Sequence, residues 1–546
     1  MLLAALLFFM GVRPFLCLVD FWPMTSDGIL WIGRGSTDNP NWLHWVFAEQ
    51  HFVGYRPLTA LSYSLNYAIG GLDARVYRFT DVGLHVLTGF LLFLVCRTMV
   101  GKRMAWTGLV AVAVYLAHPG VKEICPFIAR RGDTLASMFC LAALLFVPKV
   151  CRQGRILSPA SVAMSGLWVC GLLSKEVALA LLPVFFVLGW FGIGPEDSRS
   201  FRRACRVCLL PFLCAVAWAA LRSWVIGGVG GYPVPATERL AKFLPNIGSF
   251  WRFVWIPEWG NSAELASSAG SWFIALAGMG AVYYAIVSLV IPLFRFRSIE
   301  PHTSTALMTW IVALGVLYAA SGVLFSRMIY SAVAPLALLV GIVLANTFAR
   351  GTRPPARLLF NLAPQLLFVV AIIAKSTVIF GLGPALIDER TRRHQSMVQL
   401  CADLADVKEP ATIYMVQSCE FPVPPELFMT GLPPWRVPWW ATRPMMWTEV
   451  VYPNRDIQLK ELLFYDPNDL PETPEFGVPD GRPAVMLPDG MYFLIRLPKG
   501  KIMLRKADGP HPVYLKRWKP PSDRNCYVYV GGKGPGTLSE FDSKTD

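Results

Sequence analysis

The sequence predicts a predominantly helical bundle that crosses a membrane many times, followed by a small β or α/β domain. Of its 546 residues, 54% are hydrophobic and only 16% are charged. Soluble globular proteins usually carry about 25% charged residues. The apolar residues also form long uninterrupted runs up to residue 383, whereas residues 384–546 contain none. These observations favour an all-α polytopic membrane domain over 1–383 and a separate domain over 384–546.

A helix needs about 20 apolar residues to cross the hydrocarbon core of a bilayer. Runs of this kind predict about eleven spans in the first domain. The candidate spans are residues 1–19, 80–100, 104–118, 134–148, 160–173, 177–193, 207–226, 271–294, 305–325, 329–348 and 358–382.

Basic residues follow every second span, and this pattern predicts the orientation. The residues concerned are Arg97, Lys102 and Arg103, then Lys149, Arg152 and Arg155, then Arg199, Arg202, Arg203 and Arg206, then Arg295 and Arg297, and then Arg350, Arg353 and Arg357. Short basic loops stay in the cytoplasm. The long loop 20–79, the aromatic interfacial loop 227–270 and the whole of 384–546 are then expected on the outer side. The net charge of +14 has the same origin, which argues against a nucleic-acid partner.

The C-terminal segment alternates apolar and polar residues, as short β-strands do. The stretches are Met491–Arg496, Lys501–Arg505 and Cys526–Val530, and Pro-Asp-Gly at 479–481 and 488–490 predicts turns between strands. We therefore expect a small outward-facing β or α/β domain.

Charged groups are costly near a membrane and tend to be paired or functional there. Acidic and basic residues gather at the outer ends of the early spans. They are Asp27, Glu123 and Asp133 together with Arg56, Lys122, Arg130, Arg131, Lys175 and Arg327. Cations bind phosphate oxygens, and a carboxylate can serve as a general base. The set therefore indicates a site for a phosphorylated lipid, although each residue alone is also compatible with a snorkelling charge or a structural ion pair.

Five motifs occur in a fixed order on this predicted outer side. They are Tyr55-Arg56-Pro57-Leu58-Thr59 with Leu65-Asn66-Tyr67-Ala68, Gly70-Gly71-Leu72 and His85; His118-Pro119 with Glu123; Ala129-Arg130-Arg131-Gly132-Asp133-Thr134-Leu135-Ala136; Leu173-Ser174-Lys175-Glu176 with Pro183; and Ser326-Arg327-Met328-Ile329-Tyr330. Over roughly residues 15–350 this order resembles the transmembrane-and-tetratricopeptide-repeat O-mannosyltransferases, which are GT-C class membrane glycosyltransferases. No tetratricopeptide pattern occurs in 384–546.

The resemblance implies a role for each matching residue. Asp27 takes the place of the catalytic base, although that family usually has two adjacent acidic residues there, and Asp20 is the alternative. The implied substrate-binding residues are Tyr55, Arg56, Lys122, Arg130, Arg131, Lys175, Glu176, Arg327, Tyr330 and His118. Asp27, Glu123 and Asp133 are the implied ligands of a divalent cation. Oxygen ligands of this kind suit Mg²⁺ or Mn²⁺, and relatives that act without a metal leave this requirement open.

The expected function is transfer of mannose or a similar sugar from a polyprenyl-phosphate carrier to a protein, lipid or glycan acceptor on the outer face. The membrane would be a bacterial inner membrane, or that of the endoplasmic reticulum in a eukaryote. Two alternatives remain open: a transporter or flippase for a lipid-linked or anionic substrate, and an inactive scaffold with the same bundle. If the chain is such an enzyme, one outward cavity should contain Asp27, Arg56, Lys175 and Arg327 together with Glu123 or Asp133.

Overall fold

The structure is a computed structural model, and it describes part of the chain. The described residues are 31–51, 54–71, 73–101, 105–118, 130–192, 199–228, 235–255, 300–322, 324, 326–349, 403–416 and 455–462, with six short strands between 484 and 540. They fall into two compact units. One unit lies within Arg34–Gly383, and the other lies within Pro384–Asp546 and takes in the residues just before Arg34.

Helices make up the first unit. In chain order they are α1 (Trp42–Ala48), α2 (Pro57–Gly70), α3 (Ala74–Val100), α4 (Ala105–Ala117), α5 (Arg131–Leu144), α6 (Val147–Gln153), α7 (Pro159–Ser174), α8 (Leu182–Phe191), α9 (Phe201–Ile226), α10 (Ala236–Trp255), α11 (Glu300–Ala320) and α12 (Tyr330–Ala349). Two short 3₁₀ segments, Glu176–Leu181 and Ser326–Ile329, precede α8 and α12.

Eight of the eleven predicted spans overlap these helices, and the other three (1–19, 271–294 and 358–382) lie outside the described residues. Among the described residues, four helical stretches are long and apolar enough to cross a membrane: Arg75–Val100, Arg131–Gln153, Phe201–Ile226 and Thr303–Ala320. The protein is therefore an integral membrane protein, mostly helical in the described part. The number of crossings and their orientation stay predictions.

The helices of the first unit share one apolar core. Within it α5 packs against α7, α8 against α9, and α12 against α3, α4 and α11. Small residues allow close approach: a Cβ placed on Gly341 of α12 would lie 3.0 Å from the Ala111 side chain of α4. Helices in lipid gain most of their association from such tight packing, because lipid is as apolar as their side chains.

Apolar side chains also cover the outside of the bundle. On α9, Phe212, Leu213 and Trp224 are 53%, 55% and 79% exposed. On α10, Leu240 and Leu244 are 79% and 74% exposed, and the same helix buries Phe250 against α11. Apolar surface of this extent on neighbouring helices is expected where lipid, not water, surrounds them.

The second unit contains β-strands. They are β1 (Ala411–Val416), β2 (Ile457–Leu462), β3 (Ala484–Leu487), β4 (Tyr492–Arg496), β5 (Ile502–Lys506), β6 (His511–Tyr514), β7 (Asn525–Val530) and β8 (Thr537–Glu540). One sheet has the order β2-β1-β7-β8, with β1 parallel to both neighbours; β3 with β6 and β4 with β5 form antiparallel pairs. Strands β4, β5 and β7 overlap the three alternating stretches, and the predicted Pro-Asp-Gly turns lie outside the described residues.

Candidate functional site

The site begins at a tight corner just before α2. His51 and Gly54 form a backbone bridge, with N–H···O distances of 2.8 and 3.0 Å. Nδ1 of His51 accepts the backbone N–H of Arg56 at 3.1 Å, and Nε2 lies 3.0 Å from the carbonyl oxygen of Trp45. A carbonyl only accepts, so Nε2 carries the proton and the ring is neutral. Burial lowers the pKa of His51 to about 4. The ring thus fixes the backbone of Arg56.

From this corner the Arg56 side chain reaches Glu176, two residues after the end of α7. Its Nε donates to Oε2 of Glu176 at 3.0 Å, and its Nη2 donates to Oε1 at 2.8 Å. This two-point geometry is the strongest form of arginine–carboxylate contact. A Cβ at position 54 would lie 3.2 Å from Arg56 Nε and 3.3 Å from Glu176 Oε1, so Gly54 leaves room for the pair.

A second ion pair lies at the neighbouring residue of the chain. Lys175 links α7 to the 3₁₀ segment in an extended conformation, and its Nζ lies 2.6 Å from both carboxylate oxygens of Asp133. Asp133 stands in the first turn of α5 and also accepts a 3.3 Å hydrogen bond from Ser331 of α12. Burial lowers the pKa of Lys175, and the Asp133 carboxylate opposes that shift.

Close packing of three helix ends brings the two ion pairs together. The Thr59 hydroxyl of α2 donates to the carbonyl of Ser174, the last residue of α7, at 2.8 Å. A Cβ at Gly132 of α5 would lie 3.0 Å from the Thr59 hydroxyl and 3.1 Å from that carbonyl. The result is a charge cluster of Arg56, Asp133, Lys175 and Glu176, in which two cations face two carboxylates.

Arg131 lies only two residues from Asp133, but its side chain is completely buried. Its Nε donates to Asp81 of α3 at 2.6 Å, and its guanidinium lies 4.5 Å from the centre of the Tyr63 ring. The guanidinium also donates to the carbonyl oxygens of Ser62 (3.0 Å) and Tyr77 (3.2 Å) and to the Asn66 side chain. These contacts connect α5 to α2 and α3, and the role of Arg131 in substrate binding stays a prediction.

Three other predicted substrate residues are also largely enclosed. Tyr330 is buried in α12, where its hydroxyl lies 3.0 Å from Nδ1 of His85 and 2.6 Å from the hydroxyl of Tyr115. His118 is buried at the end of α4. Tyr55 is buried too and donates to the carbonyl of Phe47 at 2.9 Å. Tyr330 and Tyr55 thus link neighbouring parts of the bundle, and contact of all three residues with substrate stays a prediction.

The structure describes the other predicted site residues only in part or not at all. Arg130 is partly exposed immediately before α5. The backbone of Arg327 lies in the 3₁₀ segment before α12. Asp27, its alternative Asp20, Lys122 and Glu123 lie outside the described residues, and so does the side chain of Arg327.

Metal binding rests on three predicted carboxylates, of which only Asp133 is described. Both of its oxygens are used by Lys175. Within the part of the chain that the structure describes, no three His, Cys, Asp or Glu side chains gather in a way that fits a metal ion. The described residues therefore do not by themselves fit a divalent cation.

Sequence reasoning missed Asp81, His51, Ser331 and Tyr318. Ser331 directly follows the motif that ends at Tyr330, and His51 precedes Arg56 by five residues, but neither position carries a pattern of its own. Asp81 reads as one polar residue in an apolar helix. Its pairing with Arg131 depends on the way α3 meets α5, which no local spacing reveals.

The apolar helices and the charge cluster at their ends define an integral membrane protein with a polar site built from α2, α5 and α7. The chain is similar to protein O-mannosyl-transferases: tmtc2 of Xenopus laevis (34% identity over 140 residues, 25% of this chain), TMTC3 of Mus musculus (25% over 197 residues, 36%) and Tmtc1 of Drosophila melanogaster (34% over 132 residues, 23%). The resemblance seen in the motifs is thereby confirmed. The matches span 16%, 19% and 14% of those relatives' own lengths.

No model of a known protein family matches the chain. Among solved structures, ArnT from Cupriavidus metallidurans, without ligand and bound to undecaprenyl phosphate, is similar at a TM-score of 0.40 and 15% identity in both states. The likeness covers 83% of this chain and 88% or 89% of those chains, at a level that defines neither fold nor function.

Proposed function

We propose that the protein is a membrane glycosyltransferase of the GT-C class that moves mannose or a similar sugar from a polyprenyl-phosphate carrier to an acceptor on the outer face. The charge cluster carries the proposal. Two cations from different helix ends meet beside an apolar bundle, where a lipid chain and its anionic headgroup can be bound together. The similarity to protein O-mannosyl-transferases supports the reaction type.

Lys175 and Arg56 are the proposed phosphate-binding residues. Arginine offers a planar, two-point contact to a phosphate, and lysine offers a compact point charge. Their side chains are 15% and 17% exposed, so both are shielded from bulk water without being sealed off. A cation in such surroundings stabilises negative charge far more strongly than it would in water.

The carboxylates of the cluster hold the two cations in place before a substrate binds. Asp133 and Glu176 neutralise Lys175 and Arg56, and this avoids unpaired buried charge. When the sugar–phosphate bond breaks, negative charge develops on the leaving phosphate, and Lys175 and Arg56 stabilise it. The proposal gives Glu176 an indirect part in substrate binding, through Arg56.

Two parts of the proposal, the general base and the metal, rest on the sequence alone. Asp27 would take the proton of the acceptor hydroxyl. A divalent cation held by Asp27, Glu123 and Asp133 is retained as a candidate cofactor, but no step here passes through it. The acceptor stays open as protein, lipid or glycan.

A transfer assay on the purified full chain tests the proposal. Polyprenyl phosphates that carry different sugars, mannose among them, are supplied with candidate acceptors, and release of polyprenyl phosphate is measured. We expect turnover with at least one donor and about a hundredfold lower turnover in Lys175→Gln, the scale seen when one stabilising donor is removed. Asp27→Asn should abolish turnover while leaving expression normal.

Lys149→Gln is the matched control, because Lys149 is an exposed lysine of α6 outside the cluster. It should keep the activity of the unmodified protein. Absence of turnover with every donor would overturn the proposed function. Turnover that survives Lys175→Gln would remove the cluster from the mechanism, and unchanged turnover in Asp27→Asn would remove Asp27 from it.

A further inference from the structure

Two buried hydroxyl groups form a chain that ends on the Asp133 carboxylate. The hydroxyl of Tyr318, in α11, donates to Oγ of Ser331 at 3.1 Å. Oγ of Ser331, in α12, then donates to Oδ1 of Asp133 at 3.3 Å. All three residues are buried. Because both Asp133 oxygens face the Lys175 ammonium group, which only donates, they act as acceptors, and this fixes the direction of both hydrogen bonds.

Two groups, the Lys175 ammonium and the Ser331 hydroxyl, donate to the oxygens of the Asp133 carboxylate. Lys175 Nζ lies 2.6 Å from each oxygen, whereas the Ser331 hydroxyl is 0.7 Å farther away, at 3.3 Å, from one of them. In this arrangement the ammonium group dominates and Ser331 contributes a weaker contact. If Lys175 turned toward an anionic ligand, Asp133 would be left as a buried charge, which is strongly unfavourable without another donor.

We propose that Ser331, oriented by Tyr318, is a positioning residue that takes over the Asp133 carboxylate when a phosphate headgroup draws Lys175 away. The inference rests on the proposed function, because it needs Lys175 to bind phosphate. The Ser331 hydrogen bond strengthens in the ligand-bound state, so it favours binding without touching the ligand. Tyr318 keeps the Ser331 hydroxyl aimed at Asp133 by donating to its oxygen.

Packing alone accounts for the Tyr318 ring but not for its hydroxyl. The ring lies 5.8 Å from the ring of Phe250 in α10, which an equally bulky phenylalanine would match. The hydroxyl continues the chain to Ser331 and Asp133. Tyr318→Phe therefore removes the hydrogen bond and keeps the ring contact.

Binding of farnesyl phosphate to the detergent-solubilised full chain tests the inference. We expect Ser331→Ala to raise the dissociation constant about five- to tenfold, as loss of a typical hydrogen bond does. Tyr318→Phe should have the same effect in smaller measure. Thr309→Val is the control, because the Thr309 hydroxyl, also in α11, bonds the carbonyl of Thr305 in its own helix. It should leave binding unchanged.

A second measurement needs no ligand. In Lys175→Gln the Asp133 carboxylate has lost its cation in the free protein, so it depends on Ser331 there. Ser331→Ala should then lower the melting temperature more in the Lys175→Gln background than in the unmodified protein. A purely structural serine would lower it equally in both backgrounds, and that result would overturn the inference.

The two proposals fail in different ways. If the unmodified protein does not bind farnesyl phosphate, the proposed function is overturned. If the unmodified protein binds it and Ser331→Ala binds it equally well, only the role of Ser331 is overturned.

Discussion

Arg131 and Asp133 lie two residues apart at the start of α5, and each forms an ion pair, but the two pairs differ in the exposure of the cation and in the groups around it. The Arg131–Asp81 pair has side-chain exposures of 0% and 6%, and the guanidinium is also bonded by backbone carbonyls. In the Lys175–Asp133 pair, the lysine side chain is 15% exposed. This pair also adjoins a second pair, Arg56–Glu176.

The difference lies in how firmly each cation is held. Arg131 has its donors engaged by groups that cannot move without unpacking α2 and α3. Lys175 is held by one carboxylate, and that carboxylate has a second donor nearby in Ser331. Under the proposed function, a phosphate would draw Lys175 away from Asp133, and Ser331 would remain as a donor to that carboxylate.

Arg131→Met should have the largest effect on stability. Removing one partner of a buried ion pair leaves the other charge uncompensated, and we expect a loss of about 3–5 kcal/mol in unfolding free energy. Thermal unfolding of the detergent-solubilised protein measures it. Arg131→Met combined with Asp81→Leu should recover part of the loss, because the Asp81 carboxylate, which loses its hydrogen-bonded cation in the single variant, is then removed as well. A single variant as stable as the unmodified protein would contradict the structural role of Arg131.

The corner before α2 should give the fold a specific acid sensitivity. The pKa of His51 is lowered from 6.5 to about 4, mainly by burial. Between these values the unfolded chain binds a proton that the folded protein does not, so stability falls as the pH falls from 6.5 and levels off below 4. The shift corresponds to about 3 kcal/mol. Unfolding temperatures measured from pH 7 to pH 4 should show this decline.

His51→Asn separates this effect from that of other acid-sensitive groups. An asparagine oxygen can accept the Arg56 N–H in place of Nδ1, and an amide does not titrate in this range. We expect the variant to lose less stability than the unmodified protein over the same pH window. Equal pH profiles for the two proteins would show that His51 is not the group responsible.

Apolar runs predicted the helical part of the fold well. Span length depends on bilayer thickness, which acts on each helix separately, so α3, α4, α9 and α12 could be located from local sequence alone. The pairing order of β2-β1-β7-β8 could not, because it depends on contacts between residues far apart in the chain. The three stretches that form β4, β5 and β7 could be recognised in the sequence only by their alternation of apolar and polar residues.

The site was predictable in its charges and not in its pairings. Arg56, Lys175 and Asp133 were identified from motifs, and the structure brings them together with Glu176. The burial of Arg131 against α2 and α3 was not predicted, because a sequence does not show which way a side chain leaves a helix end. Ser331 and Tyr318 were missed for a similar reason, since hydroxyl groups are common in apolar helices and gain their role from the neighbour they meet.

Arg56→Lys should have the smallest effect of these changes and tests the comparison most directly. Lysine keeps the positive charge but loses the two-point contact, so we expect phosphate affinity to fall about tenfold. The loss of stability should stay below about 1 kcal/mol, because the pair with Glu176 is partly solvated. Farnesyl phosphate binding and thermal unfolding, measured on one preparation, give both values. If Arg56→Lys destabilised the protein as much as Arg131→Met while leaving binding intact, Arg56 would be a second structural arginine and Lys175 would be the only cation of the cluster left to bind phosphate.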